Sequence, residues 1–241
     1  MKSVHLFSNF EAMAEKIALE WQDRACQAEK EGDIFSVVLS GGNTASNIYS
    51  RLANKNFADK VPWHLVHFFW ADERCVPPES DQSNFGNCQR FLLNYLTIPN
   101  KNIHRIRGEE DPTVESYRYA QEVQDHVLLR KNQNTFFDWV FLGVGVDGHT
   151  ASLFPEQSSL MNSQNLCEEV THPQTGQTRI TLTPLAIKSS SRVIYHVVGG
   201  VKARVISTLL SKSKEKDSYP AAHIRGEWYL DQAAASYLKN P

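Results

Sequence analysis

The chain has 241 residues, of which 41% are hydrophobic and 22% charged, with a formal net charge of −2. That apolar share fills the core of one large α/β domain or two small ones, while a charge so near neutrality leaves no global footprint for nucleic acid or an anionic membrane. An anionic ligand must therefore be held by a local cluster of cations.

Near the start, Lys2 precedes apolar residues that Ser8, Asn9 and Glu11 interrupt too soon for a secretory segment, and no later run reaches transmembrane length. The cytoplasm is the expected location. Ser8-x-x-Glu11 reads as a capping box for a first helix in which Met13, Ile17 and Trp21 recur at helical spacing until Gly32. Ile34 to Leu39 has the pattern of a buried strand, Gly41-Gly42 breaks it, and Thr44 to Lys55 resumes helical spacing through Ile48 and Leu52. Trp63 to Trp70 predicts a second strand with Asp72-Glu73-Arg74 directly at its end.

Phe85, Cys88, Leu92, Tyr95 and Leu96 suit one face of a helix, and Asp111-Pro112 opens another that carries Val114, Tyr117, Ala120, Val123 and Val127. Phe136 to Leu142 is a strand pattern that stops at Gly143-Val144-Gly145 and then presents Asp147 and His149. The remaining order is strand Arg179 to Leu182, strand Arg192 to Val198, helix Gly200 to Leu210, strand Trp228 to Leu230 and a final short helix, with the aperiodic stretch Glu156 to Gln177 read as a lid or rim and Lys212 to Asp217 as a solvated loop. Alternation of this kind predicts an α/β fold with one doubly wound, mainly parallel sheet, helices on both faces, and a single domain over 1–241.

Ligands of open α/β sheets bind beyond the carboxyl ends of strands, which makes the loop that carries His149 a candidate for acid and base chemistry. Its bland alternative is a histidine that satisfies a turn. Ser40-Gly41-Gly42-Asn43-Thr44 and Gly199-Gly200-Val201-Lys202 both join a strand to a helix, so backbone N–H groups and a lysine are available to an anion. Tight turns with helix caps and a surface lysine are the alternatives there. The letters of Gly143-x-Gly145-x-x-Gly148 match a dinucleotide fingerprint, but Pro155 interrupts the helix that should follow and no strand precedes Glu168 and Glu169. No metal is expected, because His64 and His67 at i, i+3 of a strand point to opposite faces. The four cysteines, Cys26, Cys75, Cys88 and Cys167, show no close pairing, and neither a Walker loop nor G-x-S-x-G occurs.

Taken together, Ser40-Gly41-Gly42, Asp72-Glu73-Arg74-x-Val76-Pro77, Ser83-Asn84, Asp147-Gly148-His149-Thr150-Ala151-Ser152-Leu153-Phe154-Pro155, Arg179-Ile180-Thr181-Leu182-Thr183 and Gly200-x-Lys202-Ala203 resemble the 6-phosphogluconolactonase family nearly end to end. The resemblance implies a Rossmann-like fold and hydrolysis of 6-phosphoglucono-1,5-lactone in the oxidative pentose phosphate pathway, with no cofactor or required metal. A small phosphorylated sugar lactone is then the partner of a monomer or weak homo-oligomer. It also implies His149 as general base and acid, Asp147 as its orienting group, and Arg74 at the carbonyl oxygen or as a substrate clamp. Ser40, Gly41, Gly42, Thr44 and Lys202 would hold the phosphate, with Arg179 as a further cation and Asp72 for sugar hydroxyls. The related glucosamine-6-phosphate deaminases carry a glutamate five residues after the loop histidine and a tyrosine after the Asp-Glu pair, where this chain has Phe154 and Arg74. A noncatalytic sugar-phosphate binding protein is the other alternative.

Overall fold

The computed structural model describes residues 3–128, 130 and 134–238, so Lys2 and the outermost ends of the expected 1–241 domain lie outside it. A strand comes first, β1 (Val4–Phe7), whose half-exposed edge pattern carries no buried run to announce it. Next is α1 (Phe10–Glu31), which buries the stripe of Met13, Ile17 and Trp21 and is capped by Asn9 rather than Ser8; the Asn9 side chain accepts from Ala12 N at 2.9 Å. Then follow β2 (Phe35–Leu39), α2 (Asn43–Leu52) and α3 (Lys55–Ala58). The single helix expected to run to Lys55 divides because Asn54 caps a new turn, its side chain accepting from Asn56 N at 3.0 Å. Trp63–Leu65 form a 3-10 turn, so β3 is confined to Val66–Trp70 and is followed at once by β4 (Asp72–Arg74).

Ser83 caps α4 (Asn84–Phe91), β5 (Ile103–His104) follows, and Asp111 caps α5 (Pro112–Val127). Beyond these come β6 (Trp139–Leu142), β7 (Cys167–Thr171), β8 (Thr178–Leu182), α6 (Pro184–Lys188), β9 (Arg192–Val197), α7 (Ala203–Leu210) and β10 (Glu227–Asp231). Residues 232–237 make turns in place of the expected last helix. The stretch read as an aperiodic rim contains β7 and a 3-10 turn at Ser158–Asn162. Among the described residues, no helix is long and apolar enough to cross a membrane.

The described strands form a seven-stranded sheet in the order β1-β10-β9-β6-β2-β3-β5 and a three-stranded sheet in the order β4-β8-β7. Every pairing in the larger sheet is parallel. From β2 the chain steps outward to β3 and β5, whereas from β6 it steps the other way to β9 and β10. Right-handed crossovers in opposite directions carry their helices to opposite faces, so the order reverses, and a crevice opens, between β2 and β6. Trp21 of α1 packs on this centre, stacked on Phe141 of β6 at 5.7 Å and on Phe68 of β3 at 6.1 Å between ring centroids.

The smaller sheet is antiparallel and sits where the larger one ends. Ala71 bridges the two: its N–H donates to Leu39 O at 2.8 Å and its carbonyl accepts from Leu182 N at 2.7 Å. Tyr119 of α5 fixes the same corner, accepting from Trp70 N at 2.8 Å and donating to Trp70 O at 2.9 Å.

Candidate active site

Three neighbouring strands of the larger sheet, β9, β6 and β2, deliver at their carboxyl ends the loops of Lys202, His149 and Ser40. The smaller sheet adds Asp72, Arg74 and Arg179 from above. Ser40, Gly41, Gly42, Asp72, Arg74, His149, Arg179 and Lys202 all border one cleft of about 210 Å3. Asp147 and Thr44 do not border it: the first stands behind His149 and the second lies in the first turn of α2. Hollows of about 420 and 450 Å3 occur elsewhere, but neither gathers a histidine–aspartate pair with unpaired cations.

The loop between β6 and Pro155 is shaped to present one imidazole. Gly145 N–H donates to His149 O at 2.8 Å and Thr150 Oγ1 donates to Gly143 O at 2.8 Å, which folds the loop back on the strand that launched it. A Cβ on Gly145 would collide with both the His149 ring and the Asp147 carboxylate, so only glycine allows this turn. Asp147 Oδ1 lies 2.6 Å from His149 Nδ1 and also accepts from His149 N at 3.3 Å. Burial pushes the Asp147 carboxyl up, but the hydrogen bonds and charge of His149 outweigh it and bring the pKa down to about 2. Asp147 is therefore ionised at neutral pH and accepts the Nδ1 proton, which leaves Nε2 as the ring nitrogen not engaged by the carboxylate. Phe154 supports the ring from below at 5.0 Å between centroids.

Opposite stands a basic wall. Arg74 and Arg179 are direct cross-strand partners in the β4–β8 pair, and each has a buried Nε without a hydrogen-bond partner. Burial and the Arg74 charge lower the Arg179 pKa against the pull of Asp72, and burial likewise lowers Lys202 against the pull of Asp147. Such cations gain from an anion placed among them.

The wall is braced around Asp72 by Glu73, Ser83, Asn84 and Ser152, to which the sequence alone assigns no role. Glu73, 2% exposed, accepts from the N–H groups of Arg74, Asn84 and Phe85 at 2.7, 2.7 and 2.8 Å and from Ser83 Oγ at 2.9 Å. A carboxylate at the start of α4 suits the positive end of its dipole. Asp72 Oδ2 accepts from Ser152 Oγ at 2.7 Å and Oδ1 from Asn84 Nδ2 at 3.2 Å, so it ties the histidine loop to the wall. Asn84 also borders the cleft, with a buried Oδ1 that has no partner.

Gly42, at φ 93°, is the N-cap of α2 and offers no side chain to it, so the first-turn N–H groups remain for an anion. The Ser40 hydroxyl, by contrast, is turned inward to His196 Nε2 at 3.0 Å. What the loop presents to the cleft is backbone.

His196 has an acid-stability consequence, because burial lowers its pKa from 6.5 to about 4. The unfolded chain takes up the proton below pH 6.5 and the folded one does not, so stability is full above pH 6.5 and falls as the pH drops towards 4. The loss from this residue amounts to roughly 3 kcal/mol. Urea midpoints measured from pH 7 to pH 4 are expected to fall more steeply for the wild type than for His196→Gln, and parallel curves would dissociate His196 from the acid transition.

The chain matches the family model described as glucosamine-6-phosphate isomerases/6-phosphogluconolactonase over residues 8–230. It is 40% identical over 207 residues to the 6-phosphogluconolactonase of Haemophilus influenzae, covering 84% of this chain and 87% of that one. Among solved structures, the devB protein superposes with a TM-score of 0.91 at 36% identity over 99% of this chain and 100% of that chain. The 6-phosphogluconolactonase of Thermotoga maritima does so with a TM-score of 0.80 at 27% identity over 96% and 100%.

Proposed function

The chain belongs to the glucosamine-6-phosphate isomerase/6-phosphogluconolactonase family, and from that premise we propose that its cleft hydrolyses 6-phospho-D-glucono-1,5-lactone to 6-phospho-D-gluconate. The observation that carries this reading is the 2.6 Å pair of His149 Nδ1 and Asp147, on a cleft it shares with Arg74, Arg179 and Lys202. The named activity of the relatives supports the reaction class, and the single domain expected over 1–241 acts as one unit in this reading because both sheets contribute to the one site.

A lactone is an activated ester, so the reaction needs a nucleophilic water, a place for oxyanion charge and a proton for the departing ring oxygen. His149 Nε2 takes a proton from water as the new oxygen–C1 bond forms, and Asp147 stabilises the resulting imidazolium. As the C1–ring oxygen bond breaks, the imidazolium returns that proton to the leaving oxygen. Arg74 faces the carbonyl oxygen as it gains charge. The Gly41-Gly42 backbone, the first turn of α2 with Thr44, and Lys202 hold the phosphate, with Arg179 as the adjoining cation. Asp72 keeps lone pairs for sugar hydroxyls beyond those used by Ser152 and Asn84. The Ser40 side chain drops out of the phosphate set and serves instead to seat the loop on His196.

The deciding assay supplies freshly generated lactone and follows acid release above the spontaneous rate, then offers glucosamine 6-phosphate and looks for ammonia. Accelerated acid release without ammonia is the expected result. Ammonia would favour the deaminase chemistry, against which Phe154 already stands in the position of that enzyme's glutamate. Tight binding without turnover would favour a sensor. Lys202→Ala is expected to weaken 6-phosphogluconate binding by roughly 10- to 100-fold, the worth of one charge-assisted hydrogen bond, with a smaller change in kcat; calorimetric titration of the product checks this.

A further inference from the structure

Three histidines meet away from the cleft, near the β5 edge of the larger sheet. His67 stands on β3, His104 on β5 and His126 in the last turn of α5, and they are only 7%, 8% and 1% exposed. We infer that His67, His104 and His126 form a binding site for one divalent transition-metal ion of the zinc class. This inference stands on geometry separate from that of the proposed hydrolase.

One ring nitrogen from each histidine lies within 4.8 Å of those of the other two. The ring centroids are 5.2 Å apart for His67 and His104, 4.9 Å for His67 and His126, and 5.4 Å for His104 and His126. Three imidazoles bound tetrahedrally to zinc at about 2.0–2.1 Å have ring centres roughly 5 Å apart. The triangle is thus already of the size a metal would impose.

The hydrogen bonds turn one lone pair inward. His104 Nδ1 lies 2.6 Å from Glu122 Oε1, so with Glu122 ionised Nδ1 is the donor and Nε2 accepts from His67 Nδ1–H at 2.9 Å; an ion takes both nitrogens by displacing that one proton. A ligating histidine whose other nitrogen donates to a carboxylate is the common arrangement around protein-bound zinc. His126 is the decisive member, since neither of its ring nitrogens has a hydrogen-bond partner although the residue is buried. Leaving a buried donor or acceptor unmade is unfavourable, and a cation accepting one of those lone pairs relieves it. Phe69 closes the site, 4.3 Å from His104 and 4.7 Å from His126 between centroids.

His104 and Glu122 line a hollow of about 420 Å3 that His67 and His126 do not border, so an ion entering from it must pass the His104 ring. Arg118 beside it is paired with Glu115 and Glu122 at 2.6 and 2.7 Å, and Arg130 near His126 with Asp138 at 2.9 Å, a carboxylate it shares with Arg24. An all-imidazole set favours Zn2+, Co2+, Ni2+ or Cu2+ over Mg2+ and Ca2+.

The test titrates Co2+ into the chelator-treated full chain and follows the visible absorption of four-coordinate Co2+, with Zn2+ as competitor and the thermal midpoint as a second readout. One Co2+ per chain, displaced by Zn2+ and accompanied by a raised midpoint, is expected. His126→Ala should abolish the band, and Glu122→Gln, an exposed-side change that leaves the three ligands in place, should weaken affinity by roughly 10- to 100-fold while lactone turnover stays unchanged. If His126→Ala does not fold, Glu122→Gln decides. No uptake by the folded wild type, or uptake indifferent to the folded variants, would overturn the site.

Discussion

Replacing His149 by alanine is expected to lower kcat by about 10²–10⁴-fold, the usual worth of positioned proton transfer, while affinity for 6-phosphogluconate changes little. In the proposed reaction the ring acts only through Nε2, because Nδ1 is occupied by Asp147. Its removal also costs the fold little: the side chain is 28% exposed, and the loop is held by the backbone bond from Gly145 to His149 O and by the Thr150 hydroxyl, both of which alanine leaves in place. Asp147→Asn should reproduce part of the loss, since an amide no longer fixes the tautomer and cannot stabilise an imidazolium by charge. Steady-state kinetics beside product titration separates the two effects. A His149→Ala variant that loses product affinity in proportion to turnover would move His149 from proton transfer to substrate binding.

The parts of this site that were readable from sequence share one property, short range. A buried strand, a glycine break and a helix start lie within a dozen residues at Ser40, and Asp147 and His149 are two residues apart, so local pattern and local chemistry coincide. What escaped reading depends on pairing across long separations. β4 is three charged residues and β7 carries the consecutive acidic residues Glu168 and Glu169, one on each face; each is a strand only because β8 lies between them. Glu73 looked like one more charge at a strand end, and its role as the acceptor for two amides of another segment appears only when α4 is in place. The histidines show the same limit. His64 lies exposed in the 3-10 turn and does not pair with His67, whose hydrogen-bonded imidazole is that of His104, 37 residues away. Spacing within one strand carries no information about that neighbour.

The pairing of Arg74 with Arg179 leads to the second large effect. Like charges directly opposite in an antiparallel pair are destabilising, and here the two guanidinium groups also keep buried Nε atoms without partners. A fold selected for stability alone would not retain that pair, and under the proposed function the two cations are joined by an anion. Arg179→Met keeps the aliphatic stem that packs over Phe154, where the guanidinium carbon lies 5.7 Å from the ring, and gives up only a 3.4 Å bond to Ser152 Oγ. The expected outcome is a kcat/KM lower by about 10²–10³-fold with a thermal midpoint unchanged or raised, because the repulsion has gone. A loss carried mainly by KM assigns Arg179 to the phosphate, and one carried by kcat assigns it to the developing oxyanion beside Arg74. A falling midpoint with intact kcat/KM would instead make Arg179 a strut for the histidine loop, and the anion would then be held by Arg74 and Lys202 alone.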